Sequence, residues 1–286
     1  MNDLRVVIHQ TAPLLGEVEA NERALRERVE DSLGAGLVAF SELALTGYSL
    51  RSRVQRMASP LSSSSPLSLP TGSPPVAYGL PERGLDQLVY NSAVLVHENR
   101  VLLKHRKVYL PTYGLFDEGR YFARGDEPPE VAVLPSGWRV GMLLCEDFWH
   151  PGLIYLLAMQ RADLVLVLAA APGRGDPGED SPPSQALFRS TRAWTLLARS
   201  AALQYGLYLV LVNRAGVEEA ISFAGGSIVV APDGDVLAEA PQGEEASLEV
   251  ALSERALRRA RTPYSHMRDE DPAFLRRALD TLSRGE

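Results

Sequence analysis

The sequence predicts a protein of the α/β class, in which strands and helices alternate along the chain. Its first forty residues give a strand at residues 5–10, a helix at residues 18–33 and a second strand at residues 37–40. The second strand is wholly apolar, as expected of a strand that is buried on both faces. Two further apolar runs of similar length, at residues 140–144 and 164–168, indicate that such buried strands recur.

Hydrophobic periodicity defines the elements of the N-terminal half. In residues 18–33 the apolar positions fall at helical spacing with charges between them, and Gly34 follows as a helix terminator. Residues 59–75 are rich in serine and proline, which predicts a surface loop, with a lid over a cleft as the alternative. Residues 90–96 and 100–104 are predicted to be paired strands joined by a turn.

The C-terminal half carries most of the predicted helices. Helical spacing and termination signals predict helices at residues 153–162, 185–205, 253–261 and 272–282. Asp271 and Pro272 suit the N-cap and the first position of the last helix. Strands are predicted at residues 164–168, 207–213, 227–230 and 236–238, the last two joined by an Asp-Gly turn. Residues 172–183 are predicted to be a polar loop.

The composition is that of an ordinary globular protein. The chain has 286 residues, 45% hydrophobic and 23% charged, and nothing in it marks a linker, so one domain over residues 1–286 is expected. A single cysteine excludes an internal disulfide and fits a cytoplasmic location. No apolar run reaches the roughly 20 residues of a membrane span, and no secretory leader is recognisable. The net charge of −7 argues against a nucleic-acid partner.

Three polar residues follow strand-like runs closely enough to share one cleft. Glu42 follows residues 37–40, Lys107 follows a run ending at residue 104, and Cys145 directly follows residues 140–144. The carboxyl ends of strands are where α/β proteins bind ligands. A cysteine attacks as a thiolate, so it needs a base such as a glutamate, and an ammonium group can stabilise the oxyanion that forms on an attacked carbonyl. The pattern therefore points to nucleophilic catalysis.

Each of these residues also has a simpler interpretation. A lone cysteine among leucines is more often a small buried hydrophobe, a glutamate after a strand more often a cap, and a lysine in a basic run more often solvated. His150 lies close to Cys145 in sequence, so a Cys–His pair is an alternative. The five histidines lack metal-ligand spacing, and neither Gly-x-Gly-x-x-Gly nor a Walker loop is present, so no metal or organic cofactor is expected.

The joint pattern resembles a known family. Residues 40–48, 107–111 and 145–149 are similar, in that order, to the Glu, Lys and Cys motifs of the carbon–nitrogen hydrolase (nitrilase) superfamily. Within it the likeness is closest to the glutamine-amidase (glutaminase) branch found in glutamine-dependent NAD synthetases. That branch has a Leu-Pro-Asn-Tyr-Gly-Val-Phe-Asp-Glu-x-Arg-Tyr-Phe stretch after its lysine, which residues 110–122 match almost throughout. The resemblance runs from about residue 6 to residue 252.

This resemblance implies a four-layer αββα sandwich and hydrolysis of a small-molecule amide through a thioester. Carried over by position, the catalytic residues are the base Glu42, the oxyanion stabiliser Lys107, the nucleophile Cys145 and a second glutamate, Glu118. The positions implied to line the substrate pocket are Tyr48, Glu146 and Trp149. The resemblance also implies a homo-oligomer.

Departures from the family pattern bear on the substrate. Ser41 replaces the proline before the catalytic glutamate, and Thr112 replaces an asparagine. Ala171 stands where the glutaminase branch has a serine that helps to hold glutamine, which weakens the case for glutamine. The sequence also lacks the Ser-Gly-Gly-x-Asp-Ser loop of the synthetase half. We therefore expect a glutaminase subunit that supplies a separate ammonia-using synthetase, a free-standing aliphatic amidase or carbamoylase, or a catalytically silent subunit.

Overall fold

The computed structural model describes residues 2–61, 67–173, 189–262 and 266–283. Its strands, in chain order, are β1 (Leu4–Gln10), β2 (Leu37–Ala39), β3 (Ser59–Pro60), β4 (Val76–Arg83), β5 (Val89–His97), β6 (Arg100–Arg106), β7 (Val131–Val133), β8 (Arg139–Leu144), β9 (Leu164–Ala169), β10 (Tyr208–Asn213), β11 (Ala215–Glu218), β12 (Ile221–Ala224), β13 (Ile228–Val230), β14 (Val236–Glu239) and β15 (Ala246–Leu252). Its α-helices are α1 (Val18–Asp31), α2 (Val54–Met57), α3 (Pro151–Met159), α4 (Arg189–Tyr205), α5 (Glu254–Arg261) and α6 (Pro272–Ser283).

Most of the strands form two mixed sheets. The first has the order β15-β1-β2-β4-β5-β6, with β3 paired to one end of β4, and the second has the order β14-β13-β10-β9-β8-β7. In the first sheet β1, β2 and β4 run parallel, and in the second β8, β9 and β10 do so. Antiparallel strands extend both sheets outward, and β11 and β12 form a separate hairpin.

The two sheets pack face to face because successive side chains of a strand point to opposite sides. On β1, Val6 and Ile8 lie in one buried cluster with Met142 and Leu144 of β8. Val7, between them in sequence, lies on the other face and packs with apolar residues of α1. The outer face of the second sheet packs on α3 and α4 in the same manner. These layers confirm the α/β class and the four-layer αββα sandwich.

The predicted elements occur with small shifts at their ends. α1 ends at Asp31, two residues before the predicted end, and the wholly apolar strand β2 is buried at every position. Asp271 accepts a hydrogen bond from the backbone amide of Phe274 at 2.9 Å, which confirms the predicted N-cap of α6. Residues 185–188 of the predicted long helix lie outside the described residues, as does most of the predicted loop at residues 172–183.

The segment rich in serine and proline is partly described. Ser59 and Pro60 pair with the end of β4, and Leu67 and Leu69 are buried in the cluster between the first sheet and α1. Residues 62–66 lie outside the described part of the chain. Leu67 and Leu69 therefore belong to the core of this half and do not face solvent as a surface loop would.

One edge of the sandwich collects the polar residues that follow the strands. β2 and β4 are parallel, β6 runs in the same direction as β4 across the intervening β5, and β8 and β9 are parallel in the facing sheet. Glu42, Lys107, Cys145 and Ala170 follow the ends of β2, β6, β8 and β9. Within the described ranges, no helix is both long and apolar enough to cross a membrane.

Candidate active site

The sandwich edge brings three of the predicted catalytic residues together, with Lys107 in direct contact with both glutamates. The Nζ atom of Lys107 lies 2.8 Å from Oε1 of Glu42 and 2.8 Å from Oε1 of Glu118. All three side chains are buried. The charges of Glu42, Lys107 and Glu118 all act on the thiol of Cys145. The structure thus assembles the four residues that the sequence indicated.

The backbone around Glu42 is held in a constrained shape. Leu43, the next residue, has a φ of 49°, in the left-handed region that few non-glycine residues adopt. The segment lies against Gly79 of β4, where an added Cβ would come within 2.4 Å of the Leu43 nitrogen and 2.8 Å of the Glu42 Cα. Only glycine allows this approach. The glutamate is therefore fixed by its main chain as well as by its partners.

Both carboxylate oxygens of Glu42 have assigned partners. Oε1 accepts hydrogen bonds from Lys107 Nζ and from Nδ2 of Asn91, each at 2.8 Å. Oε2 accepts one from the backbone amide of Ala170 at 2.8 Å. The backbone carbonyl of Asn91 accepts a hydrogen bond from the backbone amide of Lys107 at 2.8 Å. Asn91 therefore orients the glutamate and the lysine together.

Cys145 lies at the junction of β8 and the short 3-10 helix Cys145–Trp149. Its φ of 43° is unusual for a residue with a side chain, and strain of this kind persists only where the surroundings impose it. Burial and the carboxylate of Glu42 raise the pKa of its thiol well above the ordinary range, against the opposing effect of Lys107. The Ala170 amide that binds Glu42 also acts on this sulfur and lowers its pKa. At neutral pH the resting cysteine is a thiol.

Asp147 ties the cysteine segment to the lysine segment. It is fully buried, and its Oδ1 accepts hydrogen bonds from the amides of Val108 and Tyr109 at 3.0 and 2.9 Å. Its Oδ2 lies 2.8 Å from Nε2 of His105 and accepts a hydrogen bond from the Leu144 amide at 3.3 Å. One carboxylate therefore fixes the chain on both sides of the cleft.

Lys107 is a buried cation between two acids. Burial favours the neutral amine, but the carboxylates of Glu118 and Glu42 outweigh it and hold the pKa of the lysine well above its ordinary range. The lysine therefore carries a positive charge in a buried position. A charge in such a place acts more strongly on a neighbouring group than it would in solvent.

Glu118 is the most perturbed acid of the site. Its Oε1 accepts hydrogen bonds from Lys107 and, at 2.5 Å, from the hydroxyl of Tyr48, whereas its buried Oε2 has no hydrogen-bond partner within the described structure. Burial raises its pKa to about 7, against the lowering effect of Lys107. A cavity of about 300 Å³ is lined by Tyr48 and Glu118, with Arg51 and Asp117 among its other residues. Glu118 can thus change its protonation state near neutral pH beside open space.

The raised pKa of Glu118 predicts a pH-dependent loss of stability. The folded carboxyl holds its proton up to about 7, whereas its ordinary pKa is 4.5, so the unfolded chain binds fewer protons between these values. Its contribution makes the free energy of unfolding fall as the pH rises through this window. Buried His9, with a pKa lowered to about 4, contributes the opposite slope. We therefore expect Glu118→Gln to remove a downward slope, measured by urea unfolding of both proteins from about pH 4.5 to 7. If the unfolding free energies of the two proteins changed with pH in parallel, this expectation would be wrong.

The three residues predicted to line a substrate pocket lie around this centre. Tyr48 contacts Glu118 directly. Glu146, the residue after Cys145, accepts a hydrogen bond from the hydroxyl of Tyr113 at 2.8 Å. The side chain of Trp149, at the end of the same short helix, is 42% exposed and meets Trp194 edge to face at 5.4 Å. Tyr48 is therefore joined to the buried array, whereas Glu146 and Trp149 are placed near Cys145 by the short helix that they share with it.

His150 has partners other than the cysteine. Its ring stacks on Tyr109 with centroids 3.4 Å apart, and its Nε2 lies 3.9 Å from Oε1 of Glu146. These contacts do not favour the alternative of a Cys–His pair. Among the residues that the structure describes, no group of three or more His, Cys, Asp or Glu side chains could hold a metal ion.

Sequence reasoning missed three supporting groups: Asn91, Asp147 and the Ala170 amide. Asn91 is the second residue of a predicted strand and Asp147 stands two residues after the cysteine, so both are polar residues beside apolar runs. That position is a weak signal of a role in the site. The Ala170 amide leaves no signal in the sequence, because any residue except proline supplies an amide.

Comparison with known proteins identifies the family and the fold of this chain. The sequence profile of the carbon–nitrogen hydrolase family matches residues 10–262. A glutamine-dependent NAD(+) synthetase from Aquifex aeolicus is 30% identical over 256 residues, which cover 87% of this chain and 42% of that protein. The solved structure of glutamine-dependent NAD+ synthetase from Acinetobacter baumannii gives a TM-score of 0.75 at 23% identity, over 89% of this chain and 46% of that one. An amidase from Nesterenkonia sp. gives a TM-score of 0.72 at 24% identity, over 97% of both chains.

These matches differ in how much of the other protein they cover. The chain spans less than half the length of the Aquifex and Acinetobacter synthetases but nearly the whole amidase. The family profile matches most of the chain, with Glu42, Lys107 and Cys145 inside the matched range. The protein therefore belongs to the carbon–nitrogen hydrolase family, as the resemblance of its motifs implied.

Proposed function

We propose that this protein hydrolyses a linear amide through a thioester on Cys145, with Glu42 as the general base and Lys107 as the oxyanion stabiliser. The observation that carries the proposal is the buried array of Glu42, Lys107 and Glu118 around the only cysteine of the chain. A buried lysine between two acids is costly to maintain for stability alone. Perturbed pKa values at one cleft are typical of catalytic sites.

In the first half of the reaction the thiol must lose its proton as it attacks. Oε1 of Glu42 already accepts hydrogen bonds from Lys107 and Asn91. Oε2 accepts one from the Ala170 amide, which also acts on the sulfur of Cys145. Oε2 is therefore the atom that takes the proton while sulfur bonds to the carbonyl carbon. Lys107 and the Glu146 amide face the oxyanion that results.

Collapse of this tetrahedral intermediate breaks the carbon–nitrogen bond. Glu42 returns the proton to the departing nitrogen, so ammonia or an amine leaves and an acyl thioester remains. Water then attacks the thioester and gives a proton to Glu42, with Glu118 assisting through its hydrogen bond to Lys107. The carbon–sulfur bond breaks, the carboxylic acid leaves, and the proton on Glu42 restores the thiol.

The preferred substrate is glutamine, the source of nitrogen named in the synthetase relatives. In that role the protein would supply ammonia to a separate synthetase, the partner that we propose for it. Glu146, the residue after Cys145, would face the α-amino group of glutamine. Among the described residues its carboxylate accepts a hydrogen bond from Tyr113 and has His150 at 3.9 Å, and a carboxylate with one donor has capacity for a cationic ligand.

Ala171 favours a second candidate, a free-standing aliphatic amidase or carbamoylase. The side chain of Ala171 is buried in the apolar cluster that also contains Cys145, and its amide donates to Oδ1 of Asn213 at 2.8 Å. This position offers a substrate a methyl group and no hydroxyl. A wall of this kind suits an apolar acyl chain better than a polar one.

Ammonia release from a panel of amides tests the proposal and separates the two candidates. We expect the purified protein to release ammonia from L-glutamine about tenfold faster than from butyramide, because only glutamine has an amino group for Glu146. Glutaramate, which lacks that amino group, is the matched control substrate. Faster release from butyramide would favour the aliphatic amidase. If an N-carbamoyl amino acid were the one substrate that released ammonia, the result would favour the carbamoylase. No hydrolysis of any amide, with a Cys145 inert to iodoacetamide, would contradict the proposal and favour a silent subunit.

A further inference from the structure

Tyr48 is anchored by a buried ion pair that lies outside the groups considered so far. Glu218, at the end of β11, accepts hydrogen bonds from the amide of Tyr48 at 3.0 Å and from that of Ser49 at 2.6 Å. Its Oε2 also accepts a hydrogen bond from Nη1 of Arg214 at 2.6 Å. The hairpin formed by β11 and β12 is thereby joined to the loop that follows Glu42.

This ion pair has little access to solvent. The side chains of Arg214 and Glu218 are 1% and 3% exposed. The guanidinium lies over the ring of Phe223 at 4.0 Å, and its Nη2 donates to the carbonyl of Pro13 at 3.4 Å. Burial opposes the charge on Glu218, but Arg214 and the backbone amides outweigh it and lower its pKa. The carboxylate therefore stays ionised and pairs with the arginine.

The chain in front of Tyr48 is shaped to receive this carboxylate. Gly47 has a φ of 75°, and an added Cβ would come within 2.6 Å of Oε2 of Glu218. No other residue would permit this approach without displacement of the glutamate. The ring of Tyr48 also packs edge to face against Phe223, with centroids 5.8 Å apart. The hairpin residues Glu218 and Phe223 thus fix both the backbone and the ring of Tyr48.

The anchored tyrosine leads directly to the cationic centre. The hydroxyl of Tyr48 donates to Glu118, and the same oxygen of Glu118 accepts from Lys107. A shift of the Tyr48 loop would remove one of the two donors of Glu118 and change how this acid holds the lysine. Orientation errors of about 1 Å in such groups can cost about 100-fold in rate.

We propose that Arg214 and Glu218 are positioning residues, which act through Tyr48 and Glu118 to fix Lys107 against the oxyanion. The proposal rests on the function assigned above to Lys107. Neither residue belongs to the chemical steps, and neither was indicated by the sequence motifs. Their contacts with the loop are to backbone amides, so they control the place of Tyr48 and not its chemistry.

A double-mutant cycle of Glu218→Gln and Tyr48→Phe tests this proposal. Glutamine keeps the shape of Glu218 but presents a neutral group to Arg214. We expect Glu218→Gln to lower kcat by up to about 100-fold with little change in KM. Since Glu218 acts through Tyr48, the double variant should be no slower than the slower single variant. Losses that multiply would show that Glu218 acts independently, which would overturn the proposal.

The pH profile separates positioning from loss of stability. The hydrogen bond from Tyr48 lowers the pKa of Glu118, so its loss or distortion in either single variant should raise that pKa. The part of the pH–rate profile that depends on Glu118 should then move to higher pH. Asp163→Asn is the control, because it breaks a partly buried ion pair, with Arg261 at 2.7 Å, just before β9 and at the opposite end of that strand from Ala170. We expect that variant to lose stability but to keep kcat and the pH profile. An unshifted profile in Glu218→Gln would contradict the proposal.

Alkylation of Cys145 by iodoacetamide provides a readout that does not need the substrate. Because the chain has one cysteine, mass spectrometry reports this site alone. We expect Glu218→Gln and Tyr48→Phe to change the alkylation rate equally and without additivity. A wild type that alkylates but cleaves no amide would refute the proposed function and still allow the cycle to be measured. A wild type that neither alkylates nor cleaves amides would overturn both proposals.

Discussion

Replacement of Cys145 by alanine is expected to lower amide hydrolysis by about 10⁴-fold or more, since loss of a catalytic nucleophile has effects of this size in comparable enzymes. The thioester cannot form without sulfur, and the remaining groups can only bind and polarise the amide. The loss should appear in kcat, while KM for the same amide changes little. Steady-state ammonia release from wild type and variant, at matched concentrations, measures both.

A matched control excludes unfolding as the cause. Ala171→Ser adds one hydroxyl to the same apolar cluster without touching the sulfur, so it reports on tolerance of the cluster to a small change. Thermal unfolding of Cys145→Ala should remain close to that of wild type, because only one sulfur atom is lost. If Cys145→Ala retained a tenth or more of the wild-type rate, the thioester scheme would be wrong.

The positions of Glu42, Lys107 and Cys145 could be predicted because each follows a run of apolar residues closely. Such runs are buried strands, and the ends of neighbouring strands meet at one edge of a sheet. Periodicity indicates where a strand ends but not which strands are neighbours. The pairing of two sheets face to face was implied only by the resemblance, since the facing side chains are as apolar as those under the helices.

The supporting contacts were harder to predict because they depend on distances across the fold. Asn91 and Asp147 are ordinary polar residues in the sequence, and their roles depend on hydrogen bonds to distant residues: Glu42 lies 49 positions from Asn91, and Val108 lies 39 from Asp147. The pair of Arg214 and Glu218 has helical i,i+4 spacing, but Arg214 lies directly before strand β11 and Glu218 at its end. A pattern of this kind would suggest a surface helix and not a buried anchor.

The charge balance of the site leads to the second large effect. Replacement of Lys107 by methionine removes the cation between Glu42 and Glu118 and leaves two buried carboxyl groups facing each other. We expect hydrolysis to fall by about 10²- to 10³-fold, as when an oxyanion donor is lost. Removal of one partner from a buried ion pair also destabilises the fold, by about 3 kcal/mol. Urea unfolding measures this second effect.

A second substitution separates these two effects of Lys107. Glu118→Gln, added to Lys107→Met, replaces one carboxyl by an amide that is neutral at every pH and still fits beside Tyr48, so that Glu42 alone can carry a buried charge there. The double variant should therefore recover most of the lost unfolding free energy but none of the lost activity, because no cation faces the oxyanion. Recovery of activity with stability would mean that Lys107 serves the fold alone, and its catalytic role would have to be abandoned. Stability regained without activity, with Glu118→Gln alone more active than the double variant, would place the charge of Lys107 in the chemical step.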